Sequence, residues 1–308
     1  MENTRAKTTR NSLILLLTAT IWGMAFVSQS KGMDYMHPFT FNGVRSLIGA
    51  AGILVYILIS RKIAGDKAAK LDWKLNVRAG LLCGIFLTIA STLQQFGIKY
   101  TSVGKAGFIT TLYIIFVPMF GIFLKKKVAP VVWAAAGMAA VGMYLLCMTE
   151  SLRLGAGDIM VFLCAIAFAI QIMTVDHYAA RIDGAVVSCI QFTVCGVVCC
   201  IGALIWGQPT FVQIQEGLGA LLYAGVLSCG VGYTLQIVGQ KGLNPTVAAL
   251  IMSLESVIAT ISGWIAYKIG FLSTDQTLTP RQIAGCVIVF AAVILVQLPP
   301  EWFRFGKK

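Results

Sequence analysis

The sequence predicts an all-α polytopic membrane protein, ten transmembrane helices arranged as two inverted five-helix repeats with both termini cytoplasmic. Three observations carry that prediction. Apolar residues make up 58% of the chain and charged residues 12%, with a mean hydropathy of +0.83, outside the range of water-soluble domains. The apolar residues gather into ten runs, each of about 20 residues, the length a helix needs to cross the hydrocarbon core. Part of the chain also repeats: Leu93, Gln94, Gly97 and Lys99 return as Leu235, Gln236, Gly239 and Lys241 at a constant offset of 142 positions.

The runs cover residues 12–30, 38–60, 77–97, 104–124, 129–148, 158–178, 185–206, 217–238, 245–267 and 280–298. No water is available inside a bilayer to satisfy backbone groups, so each run must be helical. The runs are too long, and alternate too little, for barrel strands. Met1 to Arg10 is polar and basic and no Ala-x-Ala-like site follows, which reads as a retained first span rather than a cleaved signal. The expected organisation is a cytoplasmic N-tail (1–11), a first repeat (12–148), a second repeat (158–298) and a cytoplasmic C-tail (299–308). With the N-terminus inside, the cytoplasmic loops and tails collect 17 Lys and Arg, including Lys125 to Lys127, against 6 outside, the bias that sets orientation. Five spans per copy is an odd number, so the second copy enters the membrane from the opposite side. Ala19-x-x-Trp22-Gly23 then stands against Ala165-x-x-Phe168-Ala169, and Pro130 and Pro280 each open the last span of their half, where a missing N–H has no helical partner to lose. The pairs Gly80/Gly84, Ala135/Ala139 and Ala136/Ala140 are expected to bring helices into close contact.

The formal net charge of +12 does not indicate nucleic acid, because the basic residues lie between apolar runs and are accounted for by topology. The nine cysteines all lie inside apolar segments and act there as small hydrophobes. Cys195, Cys199 and Cys200 share a helix face, but with no nearby carboxylate or histidine they are not expected to hold a metal. No HExxH, Walker or GxSxG pattern is present, so neither an enzyme nor a cofactor is expected. Gly155 to Asp158 reads as the turn and cap leading into the sixth span.

The candidate chemistry lies within the spans. Glu255 stands eleventh in the run from Pro245 to Tyr267, about 15 Å deep. A charge there costs on the order of 3 kcal/mol, so it should face the bundle interior, as a proton carrier, a counter-charge for a substrate cation, or a neutral or ion-paired structural acid. Arg45 is the one basic residue well within a span. It is expected to be a structural charge, with recognition of a substrate carboxylate or phosphate as the alternative. The amides of Gln94, Gln95, Gln171, Gln236 and Gln240 both donate and accept. Ser228, Gly232, Gln236 and Gln240 follow i+4 spacing, as do Thr88, Ser91 or Thr92, and Gln95 on the repeat partner. Such stripes suit a shared cavity or interhelical hydrogen bonds. Trp22, Tyr113, Phe168 and Tyr233 are candidate aromatic walls, and Trp206, Trp264 and Trp302 interfacial anchors.

The opening ATIWGMAFVSQ, FNGVRSLIGAA in the second span, YTSVGKAGFITTLYIIFVPMFGIFLKKK through the fourth, GDIMVFLCAIAFAIQ in the sixth and TPRQIAGCVIVFAAVILV in the tenth resemble the EamA-domain branch of the drug/metabolite transporter superfamily. The resemblance spans both halves, about residues 12 to 298. It implies a ten-helix inverted-repeat carrier in the cytoplasmic membrane, working by alternating access, with relatives that export amino acids and other small metabolites. The expected partners are a small-molecule substrate, the lipid bilayer, protons if transport is coupled, and a second copy if the carrier is a homodimer. A proton-coupled exporter of cationic drugs and a non-transporting receptor or assembly subunit stand as alternatives. Two positions depart from the family pattern. Lys125 to Lys127 replace a common Glu-Arg pair, and Glu255 is followed by Ser256 where Glu-Pro is usual, although Pro118 is present in the other half.

Overall fold

The computed structural model describes residues 2–65, 71–124, 130–147, 155–272 and 276–297. The expected basic loop Lys125 to Lys127, the C-tail 299–308 and Trp302 lie outside them. Every regular element among the described residues is helical: α1 (Glu2–Gly32), α2 (Pro38–Ala64), α3 (Trp73–Ile98), α4 (Val103–Thr111), α5 (Tyr113–Phe123), α6 (Pro130–Cys147), α7 (Ala156–Tyr178), α8 (Gly184–Gly202), α9 (Phe211–Glu216), α10 (Leu218–Leu222), α11 (Tyr233–Gln240), α12 (Pro245–Met252), α13 (Glu255–Lys268) and α14 (Pro280–Gln297). A π-helical segment, Tyr223–Gly232, joins α10 to α11. Eight stretches are long and apolar enough to cross a membrane, and the apolar stretches Pro130–Gly142 and Pro280–Leu295 are shorter. Their outward faces expose large apolar side chains such as Leu54, Leu58, Ile85, Ile201 and Phe290, which suits a hydrocarbon solvent rather than water.

Polar capping starts several of these helices. His37 caps α2, Asp72 caps α3 and Asp183 caps α8, each accepting a backbone N–H of its first turn. Ser102 and Asn244 do the same for α4 and α12, and they are 142 positions apart. The predicted prolines open α6 and α14. Asp158 does more than cap: one oxygen accepts from the Gly155 N–H and from Lys105 Nζ at 2.6 Å, the other from Thr101 Oγ1, which ties the start of α4 to the start of α7.

Packing follows a paired pattern. Helix α3 lies against α7 as the π segment and α11 lie against α1, α5 meets α7 as α13 meets α1, and α2·α8 and α6·α14 are like-with-like contacts. Small residues allow the close approaches. Gly80 and Gly84 on α3 face Ile190, Gln191 and Val194 of α8, while Gly97 and Gly157 each approach the other's carbonyl oxygen.

Two apolar runs that read as continuous spans are broken near their middles. The fourth run divides at Leu112, and the ninth at Ser253 and Leu254. The breaks do not come from proline, since Pro118 lies inside α5, well past the break. Hydroxyls mark them instead. Thr111 Oγ1 donates to the Phe108 carbonyl and Ser253 Oγ to the Leu250 carbonyl, at 2.9 and 2.7 Å. In both places the backbone tightens into three-residue turns, Leu112 N–H to Ile109 and Leu254 N–H to Ile251. Hydroxyl back-bonding of this kind also occurs in unbroken stretches, at Thr88 and Ser91 of α3, so it accompanies the breaks, and short 3₁₀ turns are a common way to interrupt a helix.

The close contact of α3 with α7 predicts a sharp steric response. A Cβ on Gly97 would lie 2.8 Å from the Gly157 carbonyl oxygen, whereas one on Gly52 meets nothing within 4 Å. Gly97→Val should lower the detergent-solubilised thermal stability by about 1–3 kcal/mol, and Gly52→Ala should leave it unchanged or raise it slightly.

Candidate functional site

The broken helices bring polar groups to the middle of the bundle. Tyr113 is the first residue after one break and Glu255 the first after the other, and they are separated by the repeat offset of 142. Their side chains meet, with Tyr113 OH donating to Glu255 Oε1 at 3.0 Å. Glu255 is 4% exposed, so this phenol supplies a hydrogen bond that solvent cannot. Gly23 makes room for the arrangement: a Cβ there would stand 2.7 Å from the Glu255 carbonyl oxygen, so a larger residue would push α1 away from α13.

Around this pair lies a cavity lined by Trp22, Phe26, Gln29, Arg45, Gln94, Thr110, Tyr113, Phe168, Gln171, Ile172, Ser228, Tyr233, Gln236 and Glu255. Its free volume is about 30 Å³, enough for ordered water and well short of the roughly 300–1,000 Å³ of small-molecule sites. Amides form one wall. Gln171 and Gln236 bond reciprocally, Nε2 to Oε1, at 3.4 and 3.2 Å, and Gln94 Nε2 donates to Thr110 Oγ1 at 3.2 Å. Aromatic rings form another, with Tyr233 between Trp22 at 4.5 Å and Phe192 at 5.0 Å between centroids. Trp22 Nε1 and Gln29 Oε1 are buried without a hydrogen-bond partner.

Eight of the ten substrate-site candidates read from the sequence line this cavity: Trp22, Gln94, Tyr113, Phe168, Gln171, Tyr233, Gln236 and Glu255. Gln95 and Gln240 do not. Gln95 turns toward α1 and donates to the Gln29 carbonyl at 3.1 Å. Gln240 is buried at the end of α11 with both amide atoms unpartnered. Ser228 and Gln236 of the same stripe do line the cavity, and Gln240 lies one further turn along, at the last residue of α11. Arg45, expected as a structural charge, reaches the same cavity. It is not joined to Glu255, and among the described residues no carboxylate lies within 4.0 Å of it. Phe26 and Gln29 were not singled out from the sequence, although Trp22, Phe26 and Gln29 follow the i, i+4, i+7 spacing of one helix face.

Elsewhere the structure offers less chemistry. A more open basin of about 640 Å³ lies at the end of α2 and the starts of α3 and α8. Its acids Asp72 and Asp183 are used as helix caps, and Lys241 donates to the Ile182 carbonyl. Cys195 and Cys199 stand 4.0 Å apart, and no group of three metal-ligating side chains occurs among the described residues.

Comparison with known proteins agrees with this architecture. The family model described as "EamA-like transporter family" matches residues 10–148 and again 155–298. An "Uncharacterized transporter" of Archaeoglobus fulgidus is 27% identical over 290 residues, covering 92% of this chain and 84% of that protein. The "Uncharacterized transporter YwfM" of Bacillus subtilis is 24% identical over 294 residues, covering 94% of each. A solved structure described only as "Crystal structure of protein" superposes with a TM-score of 0.73 at 16% identity, over 96% of this chain and 99% of the other, a likeness of fold.

The Tyr113–Glu255 bond predicts energetic coupling. Tyr113→Phe should destabilise by about 1–3 kcal/mol, because it leaves a buried carboxyl without its donor. In a double-mutant cycle with Glu255→Gln, read by thermal unfolding in detergent, the pair should show a coupling of about 0.5–3 kcal/mol. Strict additivity would mean that the contact contributes nothing.

Proposed function

The chain belongs to the EamA-like transporter family, and from that premise we propose that it moves a small polar or amphipathic metabolite, an amino acid or related compound, out of the cell. It is a transporter rather than an enzyme. In this reading ten spans, the eight long ones with α6 and α14, sit in the cytoplasmic membrane as two inverted five-helix halves with both termini cytoplasmic. The halves rock about a central site in alternating access. The observation that carries the reading is the cavity, to which both halves contribute: Trp22, Arg45, Gln94 and Tyr113 from one, and Phe168, Gln171, Tyr233, Gln236 and Glu255 from the other. Its tight volume fits a state closed around the site, and the paired breaks beside Tyr113 and Glu255 supply places where the helices can bend.

Within this mechanism Glu255 takes up a proton or a substrate cation and releases its bond to Tyr113 as it does so. Gln94, Gln171 and Gln236 orient polar groups of the substrate, and Trp22, Phe168 and Tyr233 enclose its apolar part. A second reading, a proton-coupled exporter of cationic drugs, is favoured by the buried carboxyl beside aromatic walls. The receptor or assembly-subunit alternative gives way to family membership.

Proteoliposome flux tests both readings. With a panel of amino acids and organic cations, with and without a pH gradient, the wild type should move an amino acid, and Glu255→Gln should abolish the gradient dependence. Movement of organic cations alone would replace the first reading with the second. No movement of any panel member would remove both.

A further inference from the structure

Arg45 is the least satisfied group in the cavity. It lies on α2 and is only 5% exposed, and its side chain lines the same space as Glu255. Nε has no hydrogen-bond partner, and among the described residues no ion pair reaches the guanidinium. Its guanidinium lies 5.4 Å from the Phe41 ring, a cation–π contact worth about 0.5–2 kcal/mol. A guanidinium cannot escape the cost of burial by losing its proton, and an unpaired buried charge is strongly disfavoured. The one acid of the lining, Glu255, bonds to Tyr113 and not to Arg45. The partner that completes Arg45 is therefore sought outside the chain.

The chemistry of the lining narrows that partner. A guanidinium presents a planar fork of donors that matches two oxygens of one oxyanion. Arg45 is the only cationic side chain in the lining, too little positive charge for a phosphate dianion and enough for a carboxylate. The lining's one acid, Glu255, and the amides of Gln94, Gln171 and Gln236 face the same cavity, so one molecule can present a carboxylate to Arg45 and an ammonium to the acid. We propose that Arg45 is the specificity-determining residue for substrate carboxylate, and that the substrate is a small zwitterion carrying an apolar group. This rests on reading the cavity as the transport site. It reassigns Arg45 from the structural role expected of it to direct recognition. Binding requires the cavity to widen, as access from either side already demands.

The test uses matched probes on the purified full-length protein in detergent, read by thermal shift and by titration. The probes are phenylalanine against phenethylamine, leucine against 3-methylbutylamine, and inorganic phosphate alone. At least one amino acid should stabilise the wild type and bind at least about tenfold more tightly than its decarboxylated partner. Arg45→Gln should erase that preference, and Arg45→Lys, which keeps the charge and loses the fork, should retain part of it. Equal stabilisation by amine and acid overturns the assignment, as does stabilisation by phosphate alone, no stabilisation by any acid, or a preference that survives in Arg45→Gln. If Arg45→Gln does not fold, the matched pairs on the wild type and Arg45→Lys decide. Selective binding without flux would count against transport and leave the role of Arg45 standing.

Discussion

A carboxyl group in the middle of an apolar bundle must be given a hydrogen-bond donor, and much of the centre of this molecule is arranged around that demand. Bulk solvent hardly reaches it, and the donor to Glu255 is the phenol of Tyr113. The two residues occupy corresponding places in a duplicated chain, each just past a break in its own helix. Each break carries a hydroxyl, Thr111 at one and Ser253 at the other, which bonds back to the preceding turn. Glycine at position 23 then lets α1 lie close enough to cover the Glu255 backbone. One hydrogen bond thus joins two residues that stand 142 positions apart, the same offset at which the Leu-Gln-x-x-Gly-x-Lys pattern returns.

The polar groups near that bond fall into two classes. Some are mutually satisfied, as in the reciprocal amide pair Gln171–Gln236 and the Gln94–Thr110 bond. Others face the cavity incomplete, among them Arg45 Nε, Gln29 Oε1 and Trp22 Nε1. Low dielectric makes satisfied networks rigid and leaves unsatisfied members costly. A cavity that combines both has a fixed frame together with groups that gain on meeting a ligand, and this is a physical basis for selective binding. The surrounding rings of Tyr233, Trp22 and Phe192 contribute shape.

Departures from the sequence reading have definite causes. Pro118 is carried within α5, and both breaks lie instead at turns that bear hydroxyls, Thr111 and Ser253. Gln240 missed the cavity because it lies a turn beyond Gln236, at the last residue of α11. Gln94 rather than Gln95 reached the cavity, a choice between adjacent positions about 100° apart on a helix.

The sequence by itself determined the solvent, the helical nature of the spans, the family and the short roster from which the site is drawn. These follow from composition, run length and motif order, which are local properties that bilayer physics converts directly into structure. The offset of 142 even relates Tyr113 to Glu255 arithmetically. Only the tertiary structure decided that the two touch, that Arg45 shares their cavity without a partner, and that Gln95 and Gln240 stay outside it. Those outcomes depend on how helices from distant parts of the chain cross and on where each ladder is interrupted, and side-chain direction is set by that packing rather than by any pattern along the chain.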